Sequence, residues 1–575
     1  MSGSALPRQR PPARWVAPER PDAALVALLQ RELSLPGALC ELLVRRGLDA
    51  PERARRFLRP SLDDLAPPTA LLGMTEAVDR LVLALERGET ILVHGDYDVD
   101  GMTSTAILTR VLRGLGGQVV PFVPYRLTDG YDLGPAGVAA AVDAGATLVV
   151  TCDCGTSAHA AVDALRAAGI DCIITDHHLP GGPLPAALTV LNPRRPGCPS
   201  PDKDLVAAGV VFKLALALCD ARGTSRNLVL NLLDLVAIAT VADVAPLRGE
   251  NRTLVRFGLR VLAQSKVAGL RALLRSAGLD SKELTAGRIG YILAPRLNAA
   301  GRVGRAQRGV ELLLTDDDGT ANGIARELEE MNRGRQELDR ETLDAARRQL
   351  EAQGLGDRFG LVLSGAGWHP GVIGIVASRV VEETGRPTVM IAVEDGIGKG
   401  SGRSISAFDL HGALTECRDL FVKFGGHRAA AGVTIQADRI PAFAERFAAI
   451  AASQLTPDDL VPELRVDLEI PLPAVTDELL NVLRHCEPFG VGNPAPLFAL
   501  RGVSAAGAPR RIGDQGLKLT LTADGDGALD AISWELAPRV RDIAWRRPFD
   551  VACRLERDEW KGVARIQARI ADLRQ

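Results

Sequence analysis

Aromatic residues are scarce: they make up 4% of the 575-residue chain, with five tryptophans and four tyrosines. A core or a stacking platform built from many rings is therefore excluded. The nine cysteines are scattered and odd in number. No CxxC pair occurs, and Cys152 and Cys154 are separated by a single residue. A disulfide framework and a thiolate zinc site are both disfavoured, and a reducing, cytoplasmic location is expected. Charge of one sign is lacking too: 71 acidic residues face 68 basic ones, a net charge of −3. Any basic footprint for a nucleic acid must then be local. No long apolar run is free of charge. The most apolar stretch, Leu228 to Leu247, holds Asp234 and Asp243, so no membrane span is expected. Arg8, Arg10, Arg14 and Arg20 lie among prolines without an apolar run, which excludes a secretory signal of the usual kind. The apolar fraction of 46% and charged fraction of 24% are globular averages. At roughly 100–200 residues per domain the length allows about three to five domains.

The first 20 residues read as a disordered tail, and residues up to 75 as short helical patterns broken by Pro51, Pro60, Pro67 and Pro68. From 76 onward short apolar runs (Ile91–Val93, Val119–Val123, Thr147–Thr151, Cys172–Thr175) alternate with helical patterns (Met74–Arg87, Thr103–Leu115, Pro135–Ala144, His159–Ala168). That alternation predicts a parallel, doubly wound sheet with both faces covered. Residues 205–277 read as mostly helical. A long charged helix is predicted over Ala321–Gln353, either bridging two lobes or packed on one domain. A second α/β unit follows to about residue 455. After Pro462, five or more short alternating segments (Leu464–Ile470, Leu517–Leu521, Asp530–Trp534, Phe549–Leu555, Arg565–Ile570) fit a small barrel. No internal repeat is visible.

The densest chemistry is HGDYDVDG, residues 94–101. His94, Asp96, Asp98 and Asp100 follow an apolar run at every second position, and on an extended backbone such residues point to one side. Bare, they would repel one another; hard divalent cations neutralise carboxylates. The bland alternative, a charged turn or helix cap, suits one acidic dipeptide better than four groups together. Gly101 is expected to let the chain turn into the next helix. Three further apolar segments end similarly: LVVTCDCG at Asp153, CIITDHH at Asp176, His177 and His178, and AIATVAD at Asp243. Ligands of open α/β sheets sit beyond the carboxyl ends of the strands, so the four segments predict one site. Carboxylates with a few imidazoles favour Mn²⁺, with Mg²⁺ as the alternative, over zinc. More than one metal's worth of ligands points to two divalent cations about 3.5–4 Å apart, the arrangement used to hydrolyse phosphoesters.

These motifs resemble the DHH phosphoesterase superfamily and, within it, the RecJ group. HGDYDVDG, CDCG, DHH and VADVAP resemble the first four motifs. RLNAAGR (296–302), GWHPGVIGIVASR (367–379), SGRSISAFDL (401–410) and KFGGHRAAAG (423–432) resemble later ones, and EPFGVGNPAPLF (487–498) the entry to an OB domain. The resemblance covers nearly the whole chain from about residue 75. It implies an α/β fold of two lobes, DHH and DHHA1, joined by a long helix, plus a C-terminal OB-like β-barrel. The expected divisions are 1–75, 76–280 (catalytic), 281–355 (interdomain, with the long helix), 356–455 (substrate-binding) and 456–575 (nucleic-acid-binding). By the same resemblance His94 and Asp98 hold one metal, Asp100, His177 and Asp243 hold the other, and Asp153 bridges both. His178 would contact the scissile phosphate, with Asp96 and Asp176 orienting ligands. Cys154 stands where the commoner motif has asparagine.

Substrate contacts are expected from Ser401, Gly402 and Arg403 with Lys399, from Gly426 and His427, and from Arg296, Asn298 and Arg302, with Arg126 toward a 5′ end. For each arginine alone a surface ion pair is the bland alternative. In the barrel, Arg510, Arg511 and Lys518 could line a groove, and Phe489, Phe498, Trp534, Trp545, Phe549 and Trp560 are the available rings. The implied activity is metal-dependent 5′→3′ hydrolysis of single-stranded DNA to nucleoside 5′-monophosphates, in DNA repair and recombination. The implied partners are a single-strand binding protein and a helicase, and the implied state a monomer with no membrane contact. The alternatives are a phosphodiesterase acting on short oligonucleotides or small nucleotides, and an inactive replication scaffold. The filled ligand positions speak against the scaffold.

Overall fold

The computed structural model describes residues 13–17, 19–126, 128–356, 358–513, 515–523, 526–537, 545, 547–558 and 565–575. Most of the expected disordered tail, and Trp560, lie outside the described residues. The chain divides into two compact units. One comprises Pro60–Gly334 with Glu487–Pro494; the other comprises Met1–Arg59, Arg335–Cys486 and Ala495–Gln575.

In the first unit, strands Thr90–Gly95, Gln118–Phe122, Leu148–Cys152, Asp171–Thr175 and Thr189–Leu191 form an all-parallel sheet. Gln118–Phe122 is at one edge, beside Thr90–Gly95. The inner strands are apolar because both faces are covered. Ile91, Val93, Leu148, Val150 and Ile173 pack with helices Met74–Arg87, Val99–Gly114 and Ala207–Ala221. The alternate residues Leu92, Val149 and Ile174 pack with Pro135–Asp143 and His159–Ala167. Further helices, Leu233–Ala242, Gly249–Leu262 and Ala268–Ser276, extend the first of these cores.

The chain before Asp243 is helical, as residues 205–277 read: Asp243 follows the helix Leu233–Ala242, so unlike the other three segments it is not delivered by a strand. Leu233 through Thr240 are all buried, so the helix has no polar face. Gly101 acts differently from expectation: it lies inside the helix Val99–Gly114. A Cβ there would come within 2.4 Å of the Asp96 carbonyl oxygen, so glycine is required for close approach, not for a turn.

The long helix spans Asp318–Gln353. Its Ala321, Ile324, Ala325 and Leu328 join the core of the first unit, and its Leu343, Ala346 and Leu350 a core of the second. In the second unit a five-stranded sheet runs Phe421–Gly426, Ala430–Gln436, Ile397–Arg403, Thr388–Glu394, Leu361–Ala366. It is mixed: only the last two strands pair in parallel.

The C-terminal part is a seven-stranded sheet. Its strand Phe498–Ala505 also pairs with Gly516–Ala523, which curls the sheet toward a barrel. The predicted segment Leu464–Ile470 is split. Leu468–Glu469 enters this sheet, whereas Glu463–Arg465 pairs in parallel with Arg14–Val16. The N-terminal tail is therefore ordered at Arg14–Val16. Trp15 Nε1 donates to Asp572 Oδ2 at 2.7 Å, and the guanidinium groups of Arg574 and Arg501 lie 4.7 and 5.3 Å from its ring. Among the described residues no helix is long and apolar enough to cross a membrane.

Candidate metal centre

Each predicted ligand segment ends at one edge of the parallel sheet, where local chain geometry aims its side chains. Asp98 caps the helix Val99–Gly114, its Oδ1 accepting from Gly101 N at 3.1 Å. Asp100 Oδ2 and Oδ1 each accept at 2.8 Å from the amides of Ala207 and Ala208. These belong to the first turn of the helix Ala207–Ala221, whose dipole favours the negative charge. Asp153 follows its strand with φ 68°, a conformation that short polar residues tolerate best among non-glycines. Asp176 accepts from the amides of His177 and His178 at 2.7 and 3.1 Å and from Thr156 N at 3.0 Å. Those bonds fold the DHH loop back on its own carboxylate.

The side chains converge. Three groups have ligand atoms within 4.8 Å of one another: Asp100, His177 and Asp243; Asp153, His177 and His178; and Asp96, Asp98 and Asp153. His177 Nε2 lies 3.1 Å from Asp153 Oδ1, 3.7 Å from Asp100 Oδ2 and 3.8 Å from Asp243 Oδ2. Burial holds the His177 imidazole down at about 4, so at neutral pH it is uncharged and available as a ligand.

Asp96, expected to orient ligands, shares a group with Asp98 and Asp153. His94 lies outside the three groups. It is fully buried, 5.4 Å from the Phe122 ring, and a Cβ on Gly137 would come within 2.6 Å of its Nε2. Its Nδ1 is 3.5 Å from Cys154 Sγ.

The residues present fit divalent cations. Among the described residues, buried His94 Nε2, Asp96 Oδ1 and Asp153 Oδ1 have no hydrogen-bond partner. A desolvated acceptor without a donor is costly, and Asp96 and Asp153 each bring an oxygen into one group with Asp98, carboxylates that call for a cation. Burial, then mutual repulsion, pushes Asp100 and Asp153 well above the carboxylate range and Asp243 up to about 7. Oxygen donors with imidazole, and no deprotonated thiol, suit Mn²⁺ or Mg²⁺. Burial pushes the Cys154 thiol up, away from thiolate.

His178 is different. Burial opposes its charge, but the 2.7 Å hydrogen bond to Asp176 and that carboxylate's charge outweigh burial and hold the imidazole up at about 9. Its Nε2 is 3.2 Å from the Tyr131 hydroxyl. Tyr131 and its neighbour Asp132 were not singled out by the sequence pattern. Asp132 Oδ1 accepts from Gly155 N at 2.6 Å, bracing the Asp153 turn. Asn192 was also missed; it donates to the His178 carbonyl at 2.8 Å. The available signal was position alone, since each follows a strand at the same sheet edge.

Of the expected substrate contacts, Arg126 stacks 5.0 Å from the Tyr97 ring, beside Asp96 and Asp98. Arg296 is tied to Glu329 at 2.6 Å. Asn298 and Arg302 are half-buried on the same helix, Ala294–Val303. Ser401, Gly402, Arg403, Gly426 and His427 belong to the second unit. There Gly402 and Gly426 flank Ala431 on adjacent strands. Arg403 donates to Ser401 Oγ and the Gly402 carbonyl at 3.1 and 2.8 Å. Arg510 and Lys518 are exposed cross-strand neighbours. Phe498 and Phe549 are core, and Phe489 belongs to the first unit.

A parallel sheet that collects carboxylates and imidazoles beyond its carboxyl edge defines an α/β protein with a divalent-cation centre. The pattern of the DHH family N-terminal domain matches residues 90–240, that of the DHHA1 domain 357–453 and that of the RecJ OB domain 466–572. The chain is 36% identical to the single-stranded-DNA-specific exonuclease RecJ of Bacillus subtilis over 562 residues, 97% of this chain and 70% of that protein. It is 37% identical to Escherichia coli RecJ over 572 residues, 94% of this chain and 98% of that one. The crystal structure of Thermus thermophilus RecJ in complex with Mn²⁺ superposes with a TM-score of 0.84 at 35% identity, covering 98% of this chain and 79% of that one. The Mg²⁺ complex gives 0.79 at 33% identity, covering 98% and 78%. The chain belongs to the RecJ family.

Proposed function

We propose that this chain is a single-stranded-DNA-specific 5′→3′ exonuclease that releases nucleoside 5′-monophosphates and acts in DNA repair and recombination. The observation that carries this is the convergence of buried, partnerless acceptors on one pocket in a chain of the RecJ family. His94, Asp98, Asp100, Asp153, His177 and Asp243 would hold two divalent cations, Mn²⁺ in preference to Mg²⁺. Bound there, the cations supply an activated water and neutralise charge growing on the phosphate. His178, cationic through Asp176, would turn its Nε2–H from Tyr131 to a phosphate oxygen. Asp176 fixes that ring, and Cys154 faces the His94 ring nitrogen. Arg126, Arg296, Asn298 and Arg302, with Ser401, Gly402, Arg403, Gly426 and His427, would hold the strand. The C-terminal β domain would add affinity through Arg510, Arg511 and Lys518.

A single-strand binding protein and a helicase as partners, a monomeric state and a cytoplasmic location rest on the family resemblance. The matched OB domain supports a polymeric substrate over a dinucleotide. The test uses 5′- and 3′-labelled single and double strands with Mn²⁺ or Mg²⁺. Mononucleotides released from the 5′ end of single strands are expected. In Asp153→Ala the rate should fall at least about a hundredfold, more than loss of an outer partner costs. Equal rates on dinucleotides and long strands would overturn the polymer assignment.

A further inference from the structure

The motif EPFGVGNP lies where the chain enters the C-terminal β domain, yet the structure places Glu487–Pro494 in the unit of the metal centre, although both flanks belong to the other unit. There it grips the turn that follows Asp243. Leu247 N donates to the Val491 carbonyl at 2.7 Å. Arg248 Nε donates to the Gly492 carbonyl at 2.8 Å. Arg252 and Arg256 donate to the Glu487 carbonyl at 2.7 and 3.1 Å. The segment is stapled internally: Gly490 and Asn493 exchange backbone hydrogen bonds, and the buried Asn493 amide donates to the Pro488 carbonyl at 2.8 Å.

The fit is close. A Cβ on Gly490 would lie 2.7 Å from Leu247 Cδ1, and one on Gly492, at φ 73°, would lie 3.0 Å from Pro246 Cβ. Between Asp243 and this grip stands Val244, with φ 59° and 63% exposed. A β-branched residue in the left-handed region is strained and persists only where its surroundings fix it. Exposure removes side-chain packing as the cause; the backbone closes the turn locally, Val244 N donating to the Val241 carbonyl and Ala245 N to the Thr240 carbonyl at 3.2 Å each, the pair that caps a helix through a left-handed residue. Upstream, Asp243 N donates to the Ala239 carbonyl at 2.9 Å at the end of its helix. Downstream, Leu247 and Arg248 are held by the segment.

We infer that Glu487–Pro494 is a positioning segment for the metal centre: by fixing Pro246–Arg248 it anchors the chain that leaves the capped Val244 turn and keeps Asp243 facing His177 and Asp100. The inference rests on Asp243 being a metal ligand. It assigns no chemistry to the segment itself; its residues act through Asp243.

The test is a Mn²⁺ titration of the full chain followed by electron paramagnetic resonance, for wild type, Arg248→Met and Gly492→Val. Both variants should bind Mn²⁺ about tenfold or more weakly, as expected when an orienting partner is lost. Hydrolysis should recover at saturating Mn²⁺, and single-stranded DNA binding in EDTA should match wild type. Arg248→Met removes one hydrogen bond at the surface of the turn, and it alone decides the question if Gly492→Val does not fold. Unchanged Mn²⁺ binding in Arg248→Met, or a rate that stays low at saturating Mn²⁺, overturns the positioning role. Wild-type protein that binds no Mn²⁺ overturns the metal reading beneath it.

Discussion

At the scale of single residues, the site shows how position changes what a side chain can do. His177 and His178 are adjacent, yet burial holds the first neutral at about 4 while Asp176 holds the second cationic at about 9. One is thereby suited to a cation and the other to a phosphate. In the proposed ligand set, Cys154 stands opposite His94 where carboxylates and carbonyls commonly orient metal-bound histidines. The thiol lies 3.5 Å from Nδ1, and Cys154→Ala removes that contact. The Mn²⁺ concentration giving half-maximal hydrolysis should rise about tenfold. Cys154→Ser and Cys154→Asn, which can bond to the same nitrogen, should stay near wild type. An unchanged Mn²⁺ dependence in Cys154→Ala would remove the thiol from the site.

At the scale of elements, two features have stability consequences. Asp234 sits on the all-buried helix Leu233–Ala242, its Oδ2 accepting from Ser265 Oγ at 2.5 Å and its Oδ1 from Leu235 N at 2.8 Å. Burial pushes its pKa from 3.8 up to about 6. The fold therefore prefers the neutral carboxyl: that contribution is complete below the ordinary value and is lost as pH rises through about 6. Asp234→Asn, neutral at every pH, should be the more stable protein at pH 8 by about 2 kcal/mol. The advantage should shrink below pH 6 and disappear near the ordinary carboxylate value, as read by urea denaturation across pH. The second element is the strand Arg14–Val16. Trp15→Ala removes a ring that bonds Asp572 and lies beside Arg501 and Arg574. It should cost about 2 kcal/mol, measured as a lower urea midpoint for the C-terminal β domain. A midpoint equal to wild type would show that the strand is dispensable to the fold.

At the scale of the whole molecule, the metal groups all lie in one of the two compact units. A cation that binds only the folded site stabilises that unit by mass action, by about 2.7 kcal/mol at a hundredfold excess over its dissociation constant. Calorimetry should show Mn²⁺ raising the transition of the unit containing Pro60–Gly334, with EDTA reversing it and the other unit's transition unmoved. Much of this was legible in the chain itself. Three strand-end motifs and their ligand chemistry follow from local pattern, since alternation on an extended strand and the donor set need only near neighbours. Asp243 was legible as a candidate ligand within a stretch that reads as mostly helical, but the bounds of its helix were not, because a helix buried on every side has no polar face to reveal its period. The strand Arg14–Val16 was hidden because its partner, Glu463–Arg465, lies some 450 positions away. So was the grip of Glu487–Pro494 on Pro246–Arg248. The sequence by itself determined which groups must be neutralised and at which chain segments they stand. Tertiary structure alone decided which of them share a pocket, how burial divides neutral from charged imidazole, and which distant backbone holds Asp243 in place, because burial and long-range hydrogen bonds exist only once the chain has closed on itself.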